Sequence, residues 1–337
     1  MRQYANTSNG ATNRAACGCR VSRHRIPTME EAVLITNPAA EATSEHVKEV
    51  IVKALSSNLR LEVVDTAAPG HATEVASEAV RSGCGLVVAF GGDGTLNEVA
   101  NGMVGSDTPL AILPGGNANV VCRNLGLPAD IVEATGHLLN GLREHTTRRI
   151  SVGRTGGRCF LVSCGLGLRP RGAHDAERDA GPDAARRRAG PRFPGRHLLE
   201  AAFRAAVRDR RGRDMRIHLS AGDVTEDVVV ALITNMSQLS YVGDHPVTLA
   251  PEARVDEGLD VLAMRTFPLS YVPRLAWSAL SDGSHVRFKQ VLYLHDLGGV
   301  KATSAGAPFS VHVDGEFLED RTEVEVELVR NGLAVLV

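Results

Sequence analysis

The sequence is poor in aromatic side chains, in excess charge and in long apolar runs. Aromatic residues make up 4% of the 337 residues, so stacking platforms for single-stranded nucleic acid are not expected. The formal net charge is −2, which provides no overall positive field to attract nucleic acid. No apolar run reaches the roughly 18 residues that a membrane-spanning helix needs. Neither a nucleic-acid partner nor a transmembrane segment is therefore predicted.

The six cysteines show no spacing that predicts a metal site or a disulfide framework. Cys17 and Cys19 are one residue apart, but no second pair follows at zinc-finger spacing. Reduced thiols in a cytosolic protein are therefore expected. Residues 1–28 are polar and contain no apolar core of signal-peptide length. They are predicted to be a disordered extension, with Met29 as an alternative start.

Between residues 29 and 150, short apolar segments alternate with segments of helical periodicity. One helix is predicted after Ser44, a residue suited to the N-cap, and another is predicted to end at Gly83. The strand-like segments are AVLITNP, RLEVVDT, GLVVAF and PLAILP. Alternating strands and helices predict an α/β nucleotide-binding domain with a parallel sheet and helices on both faces.

After about residue 150, strand-like segments follow one another with few helices between them. This pattern predicts a second domain over residues 151–337, an antiparallel β-sandwich-like domain for the substrate. Two helices are predicted in it, LLEAAFRAAVRDRR and LSYVPRLAWSALS. Residues 169–196 lack hydrophobic periodicity, so an irregular segment is expected there. Its basic run at 186–188 could contact anionic lipid head groups or be solvated.

The most informative stretch is LVVAFGGDGTLNEVANGM, in which a buried strand stops at a glycine cluster and a helical pattern begins. At the C-terminal end of a parallel strand, a ligand meets backbone N–H groups and a helix N-terminus. Gly91, Gly92 and Gly94 would allow close approach of phosphate oxygens and positive φ. The alternative is an ordinary turn in which Asp93 and Thr95 act as helix caps. A second glycine loop, PGGNAN, favours phosphate binding.

Two common phosphate motifs do not match this loop. No glycine precedes a lysine in the frame of a P-loop, and GGDGTLNE lacks the third glycine of a dinucleotide fingerprint. The carboxylate of Asp93 would repel a pyrophosphate unless a cation lies between them. An acid among phosphate-binding glycines therefore indicates magnesium and phosphoryl transfer.

FGGDGTLNEVANG followed by LPGGNANVVCRNLGLP resembles the diacylglycerol kinase catalytic domain family, in its bacterial lipid-kinase branch related to sphingosine and ceramide kinases. Further matches are TNP at 36–38, DTAAPGHA at 65–72, LAPEARVDEGLDVLAM at 249–264 and VHVDGEF at 311–317. The resemblance extends from about residue 30 to the C-terminus, with a weak patch in the middle. It implies an α/β nucleotide domain followed by a β-sandwich, in agreement with the patterns above.

The resemblance also implies ATP and Mg²⁺ as cofactors and gives roles to individual residues. Glu316 would deprotonate the lipid hydroxyl as catalytic base, with Asp314 beside it and Asp93 in the phosphate loop. A structural magnesium ion would bind Glu257 and the backbone carbonyls of Arg254 and Leu259, although VDEGLDV is one residue shorter than the family pattern. The nucleotide would contact Asn37, Thr66, Gly91, Gly92, Asp93, Gly94, Thr95, Asn97, Gly116 and Asn117.

Without the resemblance, SVHVDGEFLED is a strand ending in Asp314-Gly315, which is a strong hairpin signal. Two solvent-facing acids at a tight turn are then the simpler interpretation, and general-base catalysis by Glu316 is favoured only together with the family match. For Glu316 to act near Gly94, the second domain must fold back so that the VDGE hairpin faces the glycine loops across a cleft.

Two positions depart from the family pattern. Val120 follows Asn119 where the family often has aspartate, and Arg169 stands in the place of an acid that helps to orient the acceptor lipid. The charge reversal at 169 is expected to weaken the acceptor site. Because the next two dozen residues also lose the pattern, either a local frame shift in the coding sequence or a divergent kinase would account for it.

The predicted function is an ATP- and Mg²⁺-dependent lipid kinase that phosphorylates a hydroxyl of diacylglycerol or a similar lipid at a membrane surface. An NAD kinase is an alternative because that family also has Gly-Gly-Asp-Gly-Thr, but no companion motif for a nicotinamide nucleotide is found. A degenerate nucleotide- or lipid-binding protein without turnover is the other alternative, which Arg169 favours. The expected location is cytoplasmic with peripheral contact with the inner membrane surface, and a homodimer stays open.

Overall fold

The computed structural model describes residues 31–38, 40, 44–167, 216–242, 245–266, 268–304 and 306–337. The predicted extension 1–28, the irregular segment 169–196 with Arg169, and the helix predicted over 198–211 lie outside the described residues.

The first half is an α/β unit with four parallel strands in the order β2-β1-β3-β4. The strands are β1 (Glu31–Thr36), β2 (Arg60–Asp65), β3 (Leu86–Gly91) and β4 (Leu110–Pro114). The helices are α1 (Glu45–Ser56), α2 (His71–Arg81), α3 (Asp93–Met103), α4 (Val120–Asn124) and α5 (Ile131–Glu144). The predicted parallel-sheet architecture is confirmed.

Alternation along the strands places helices on both faces of the sheet. In β1, Val33 and Ile35 pack with α2 and α3, whereas Leu34 packs on the opposite face with α1 and α5. Side chains of a strand alternate between the faces, so a strand covered on both sides reads as a continuous apolar run. This explains why polar and apolar residues do not alternate in these strand segments.

Local signals define several helix ends. Ser44 caps α1 by accepting a hydrogen bond from Val47 N at 3.4 Å, as predicted. Gly83 follows α2 with a φ of 80°, a left-handed conformation that glycine adopts without strain. Helix α3 begins at Asp93, not at Leu96 where the periodicity predicts it, because its first turn consists of loop residues without an apolar pattern.

Helix α5 is not among the elements predicted from the sequence. Asp130 caps it by accepting hydrogen bonds from the N–H groups of Val132 and Glu133. Its glycines lower the intrinsic helix propensity. One of them, Gly141, lies so close to the last strand that a Cβ would be 3.2 Å from Leu336 Cγ. Packing against the sheet therefore stabilises this helix.

The second half consists of antiparallel strands in two facing layers. Six strands form one layer in the order β14-β13-β10-β7-β16-β17, and the others extend the first sheet in the order β18-β15-β8-β9, with β5 and β6 beside β18. A separate hairpin pairs β11 with β12. Apolar residues of both layers share one core, for example Phe160 and Val326 with Val261 and Val311. This arrangement confirms the antiparallel second domain.

The bounds of these elements follow in chain order. The strands are β5 (Thr147–Thr155), β6 (Arg158–Phe160), β7 (Ser163–Leu166), β8 (Ile217–Ala221), β9 (Val224–Val228), β10 (Val230–Thr234), β11 (Gln238–Val242), β12 (His245–Thr248), β13 (Leu259–Met264), β14 (Val291–Leu297), β15 (Gly299–Thr303), β16 (Phe309–Val313), β17 (Glu316–Arg321) and β18 (Glu323–Leu336). Helix α6 is Val272–Leu280, between the 3-10 helices Leu269–Tyr271 and Ser284–Arg287.

Strand β18 joins the two halves into one continuous sheet. Its 14 residues pair with β15 and β5 in the second half and reach β4 in the first half, where Val335 lies opposite Leu110. The C-terminal strand thereby fixes the second half against the edge of the parallel sheet.

Candidate active site

The two glycine loops contact each other directly, backbone against backbone. Gly115 N donates to Gly91 O at 2.8 Å. A Cβ on Gly115 would lie 2.9 Å from Gly91 Cα, and a Cβ on Gly116 would lie 2.8 Å from Gly92 Cα. These glycines are therefore required so that β3 and β4 can end side by side.

The expected positive φ at Gly91, Gly92 and Gly94 is wrong, since none of the three has one. Helix α3 starts from extended backbone at Gly92, with a φ of −83°. The left-handed residue is Asn119, with a φ of 45°. Its side chain closes the second loop, because Oδ1 accepts from Gly116 N at 3.0 Å and Nδ2 donates to Gly116 O at 2.7 Å. Asparagine tolerates this conformation better than most residues.

Asp93 connects the two loops. Its carboxylate oxygens accept hydrogen bonds from Val120 N at 3.2 Å and Val121 N at 3.3 Å, at the N-terminus of α4. Burial raises the pKa of Asp93, while the two N–H groups oppose that shift. Val120, which replaces the frequent aspartate, is buried and supplies one of these N–H groups. In this arrangement Asp93 holds α4 against the first loop.

Other predicted nucleotide residues meet at the carboxyl ends of the parallel strands. Asn37 Nδ2 donates to Thr95 Oγ1 at 3.1 Å, and Thr66 N donates to Thr36 O at 2.8 Å. Thr95 is buried, and no side chain caps α3. Gly94 and Asn117 are exposed beside them. The loops that follow β1, β2, β3 and β4 therefore lie at one edge of the sheet. In open α/β sheets, ligands bind at this edge.

Asn97 links this edge to the second half of the chain. Although 217 residues apart, its Nδ2 donates to Asp314 Oδ2 at 2.7 Å. Leu161 N, Val162 N and Ser163 N also donate to the Asp314 carboxylate, at 2.8–2.9 Å. Burial raises the pKa of Asp314, and these four donors oppose the shift. Asp314 thus organises the turn between β6 and β7 and fastens the VDGE hairpin to α3.

Glu316 lies on the same hairpin, and its side chain is 60% exposed. Arg158 Nη2 donates to Glu316 Oε2 at 2.6 Å and lies 3.5 Å from Asn97 Oδ1. The carboxylate therefore faces solvent next to α3 and is connected to it through one guanidinium group. The hydrogen bonds of Asn97, Asp314 and Arg158 bring the hairpin against α3, the helix that follows the first glycine loop.

Sequence analysis did not identify Arg158 and Asn101 as site residues. Asn101 lies one helical turn after Asn97, and its amide donates to Cys159 O at 3.0 Å and accepts from Cys159 N at 2.8 Å. The Asn97–Asn101 spacing on one helix face is a signal that could have indicated a polar contact. The pairing of Arg158 with Glu316 has no local signal, because 158 residues separate the two.

The residues predicted to hold a structural magnesium ion lie in and next to the turn before β13, and their role as metal ligands stays a prediction. Arg254 O accepts from Glu257 N at 3.2 Å. The Glu257 carboxylate oxygens lie 4.0 Å from Arg254 Nε and 3.5 Å from His295 Nε2, so both face nitrogen donors. Leu259 is buried in β13. Within the described residues, no group of three or more His, Cys, Asp and Glu could hold a metal ion.

The four described cysteines, Cys84, Cys122, Cys159 and Cys164, are free and buried, as expected for reduced thiols. Burial raises the pKa of Cys122 and of Cys164 to about 12, so both stay protonated at neutral pH.

The site thus combines two glycine loops in direct contact at the ends of parallel strands with a carboxylate hairpin that hydrogen-bonds to α3. Residues 31–155 match the model of the diacylglycerol kinase catalytic domain family. The family prediction is confirmed.

Two curated relatives align with most of the chain. A diacylglycerol kinase of Bacillus subtilis is 26% identical over 298 residues, which cover 86% of this chain and 90% of the relative. A Pseudomonas aeruginosa protein named "Probable lipid kinase YegS-like" is 27% identical over 298 residues, covering 87% and 90%. Both support a kinase of the lipid-kinase family.

Solved structures support the fold. A crystal structure of a diacylglycerol kinase from Bacillus anthracis superposes with a TM-score of 0.64 at 20% identity, covering 91% of this chain and 96% of that one. A yeast NADH kinase in complex with NADH reaches a TM-score of 0.50 at 10% identity, covering 92% and 84%. The second likeness concerns the fold alone and does not outweigh the family match.

Proposed function

We propose that this protein is an ATP-dependent lipid kinase that transfers the γ-phosphoryl group to a hydroxyl of diacylglycerol or a similar lipid. The observation that carries the proposal is the Asn97–Asp314 hydrogen bond, which holds the VDGE hairpin against α3 directly after the first glycine loop. This contact supports a site in which the nucleotide loops and an acceptor-side carboxylate would face each other. Magnesium would accompany the phosphates of ATP as part of the substrate.

In the proposed reaction, Glu316 accepts the proton of the lipid hydroxyl. The hydroxyl oxygen forms a bond to the γ-phosphorus while the bond between that phosphorus and the β–γ bridging oxygen breaks, which releases ADP. Backbone N–H groups in the first turn of α3 stabilise the charge on the phosphates. Arg158 is a positioning residue, since its guanidinium group holds Glu316 beside Asn97.

The direct test is phosphoryl transfer from ATP, with and without Mg²⁺, to a panel of diacylglycerol, monoacylglycerol, sphingosine and ceramide in detergent micelles, with NAD and NADH as competitors. Transfer to a lipid supports the proposal. Transfer to NAD or NADH would establish the nucleotide-kinase alternative, and nucleotide binding without transfer to any acceptor would establish a binding protein without turnover.

Gly94 offers a test of the nucleotide site that leaves the fold intact. A Cβ at Gly94 would meet nothing within 4 Å, and its φ is not positive, so the protein itself has room for alanine. Gly94→Ala is expected to keep or raise stability by a few tenths of a kcal/mol, as helical Gly→Ala changes do, yet to weaken ATP binding at least about tenfold by crowding the phosphates. Calorimetric titration with ATP measures the affinity.

Gly136→Ala is the matched control, because Gly136 is an exposed glycine inside α5 that also has open space around its Cβ position. It should raise stability similarly without any change in ATP affinity. Unchanged ATP affinity in Gly94→Ala would contradict the placement of the phosphates at this loop. Asp93→Ala is less informative, since removing that carboxylate also uncaps α4.

A further inference from the structure

Helix α6 exposes the single tryptophan of the chain. Trp277 is 76% exposed and Leu280 is 45% exposed, whereas the neighbouring Ser278 and Ala279 are buried. A tryptophan side chain without a partner is rarely this exposed to solvent. Tryptophan favours the boundary between water and lipid. The apolar side of α6 already packs on the outer face of the six-stranded layer, so Trp277 is not needed for the core.

This part of the surface is rigid. His285 N donates to Ser278 Oγ at 2.7 Å, and His285 Nε2 is 2.9 Å from Leu249 O, which fixes the following 3-10 helix against α6. The guanidinium group of Arg274 lies 4.5 Å from the ring centre of Phe288. Arg287 and Lys289 on either side of Phe288 are therefore held near α6.

The segment that contains Trp277 has an excess of cations, although the chain as a whole has a net charge of −2. Residues 269–290 contain three cations, Arg274, Arg287 and Lys289, all exposed, and one carboxylate, Asp282. The Asp282 carboxylate accepts from Ser284 N at 3.0 Å. An exposed tryptophan and leucine on a segment rich in exposed cations are the combination that anionic lipid surfaces attract.

We infer that Trp277, Leu280, Arg274, Arg287 and Lys289, here called the α6 face, dock the protein on an anionic phospholipid surface. The aromatic and aliphatic side chains enter the head-group boundary, and the cations approach the phosphates. The inference deepens the proposed lipid kinase function, because a diacylglycerol acceptor resides in such a surface. Within the described residues no helix is long and apolar enough to cross a membrane, so docking is a surface contact.

Because Trp277 is the only tryptophan, its fluorescence reports this face directly. The full chain is titrated with vesicles of phosphatidylglycerol and phosphatidylcholine, and separately with pure phosphatidylcholine. We expect red-shifted emission in buffer, a blue shift with the anionic vesicles only, and loss of the shift at high salt as the Debye length falls from about 8 Å to about 3 Å. Blue emission before vesicles are added would show that another part of the chain or a second copy covers the face, and would overturn the inference.

Charge variants extend the test. Arg274→Gln, Arg287→Gln and Lys289→Gln are each expected to weaken vesicle partition about fivefold. Arg143→Gln, which removes an exposed cation from α5, should leave it unchanged. Equal partition of all four variants would contradict the assigned surface.

Trp277→Ser is measured by co-sedimentation, with an expected loss of about tenfold in partition. Val132→Ser is the matched control, since Val132 is also 76% exposed but lies on α5. Equal losses in the two variants would overturn the inference.

Phosphorylation of dioctanoylglycerol in detergent micelles separates this proposal from the previous one. If the Trp277→Ser protein phosphorylates the lipid in micelles but does not bind vesicles, both the docking surface and the kinase proposal are supported. If the unsubstituted protein binds vesicles but has no kinase activity, only the kinase proposal is contradicted.

Discussion

Glu316→Gln is expected to lower kcat for lipid phosphorylation by about 10²–10⁴-fold, the usual effect of removing a general base. Glutamine keeps the shape of the side chain and can still accept a hydrogen bond from Arg158, but it cannot take the hydroxyl proton. ATP affinity should barely change, because the base touches the acceptor and not the nucleotide. Steady-state kinetics with a detergent-solubilised lipid and calorimetry with ATP measure the two effects separately.

The same hairpin supplies a closely matched control. Glu319, also in β17, is 41% exposed and pairs with Arg321 at 2.6 Å, as Glu316 pairs with Arg158 at 2.6 Å. Glu319→Gln thus removes an equivalent surface ion pair without touching the cleft, and full activity is expected. Similar activities of the two variants would show that the VDGE carboxylate does not act as the base. Surface ion pairs contribute little stability, so both variants should unfold at the same urea concentration.

Asp314→Ala is expected to destabilise the protein by at least about 3 kcal/mol, because several buried donors lose their acceptor together. The carboxylate accepts hydrogen bonds from three backbone N–H groups and from the Asn97 amide. Urea unfolding followed by circular dichroism measures the midpoint. The same substitution should loosen the contact between the hairpin and α3. Activity should therefore fall even where the variant remains folded.

Asp223→Ala tests whether this effect belongs to the site. Asp223 also lies in a tight hairpin turn, between β8 and β9, but it is exposed. Its replacement should change the free energy of unfolding by less than about 0.5 kcal/mol. The loss of stability in Asp314→Asn should lie between the losses in Asp314→Ala and Asp223→Ala. The amide oxygen can accept hydrogen bonds from some of the donors, whereas its NH₂ group faces the others. An Asp314→Ala protein as stable as the wild type would rule out the structural role.

Much of the first half could be predicted from local patterns. Continuous apolar strands, helical periods, the Ser44 cap and the glycine loops define the order of elements, because they act over a few residues. Helix α5 was missed because its glycines weaken the local signal while packing on Leu336 stabilises it. The positive φ expected at the first glycine loop was wrong. A Cβ at Gly91 would meet the Thr95 side chain, and the close contact between the two loops requires Gly115 and Gly116 of the second loop.

The sequence by itself determined the two glycine loops, the family and the candidate base, because each is written in contiguous residues with a recognisable spacing. Only the tertiary structure decided what the acids do. Asp93 caps α4, Asp314 holds three backbone N–H groups and Asn97, and Glu316 faces solvent beside Arg158. These assignments depend on partners as many as 217 residues away, which β18 brings together by pairing with both halves of the sheet. Contacts over such separations follow from the closure of the whole fold, and no local pattern encodes them.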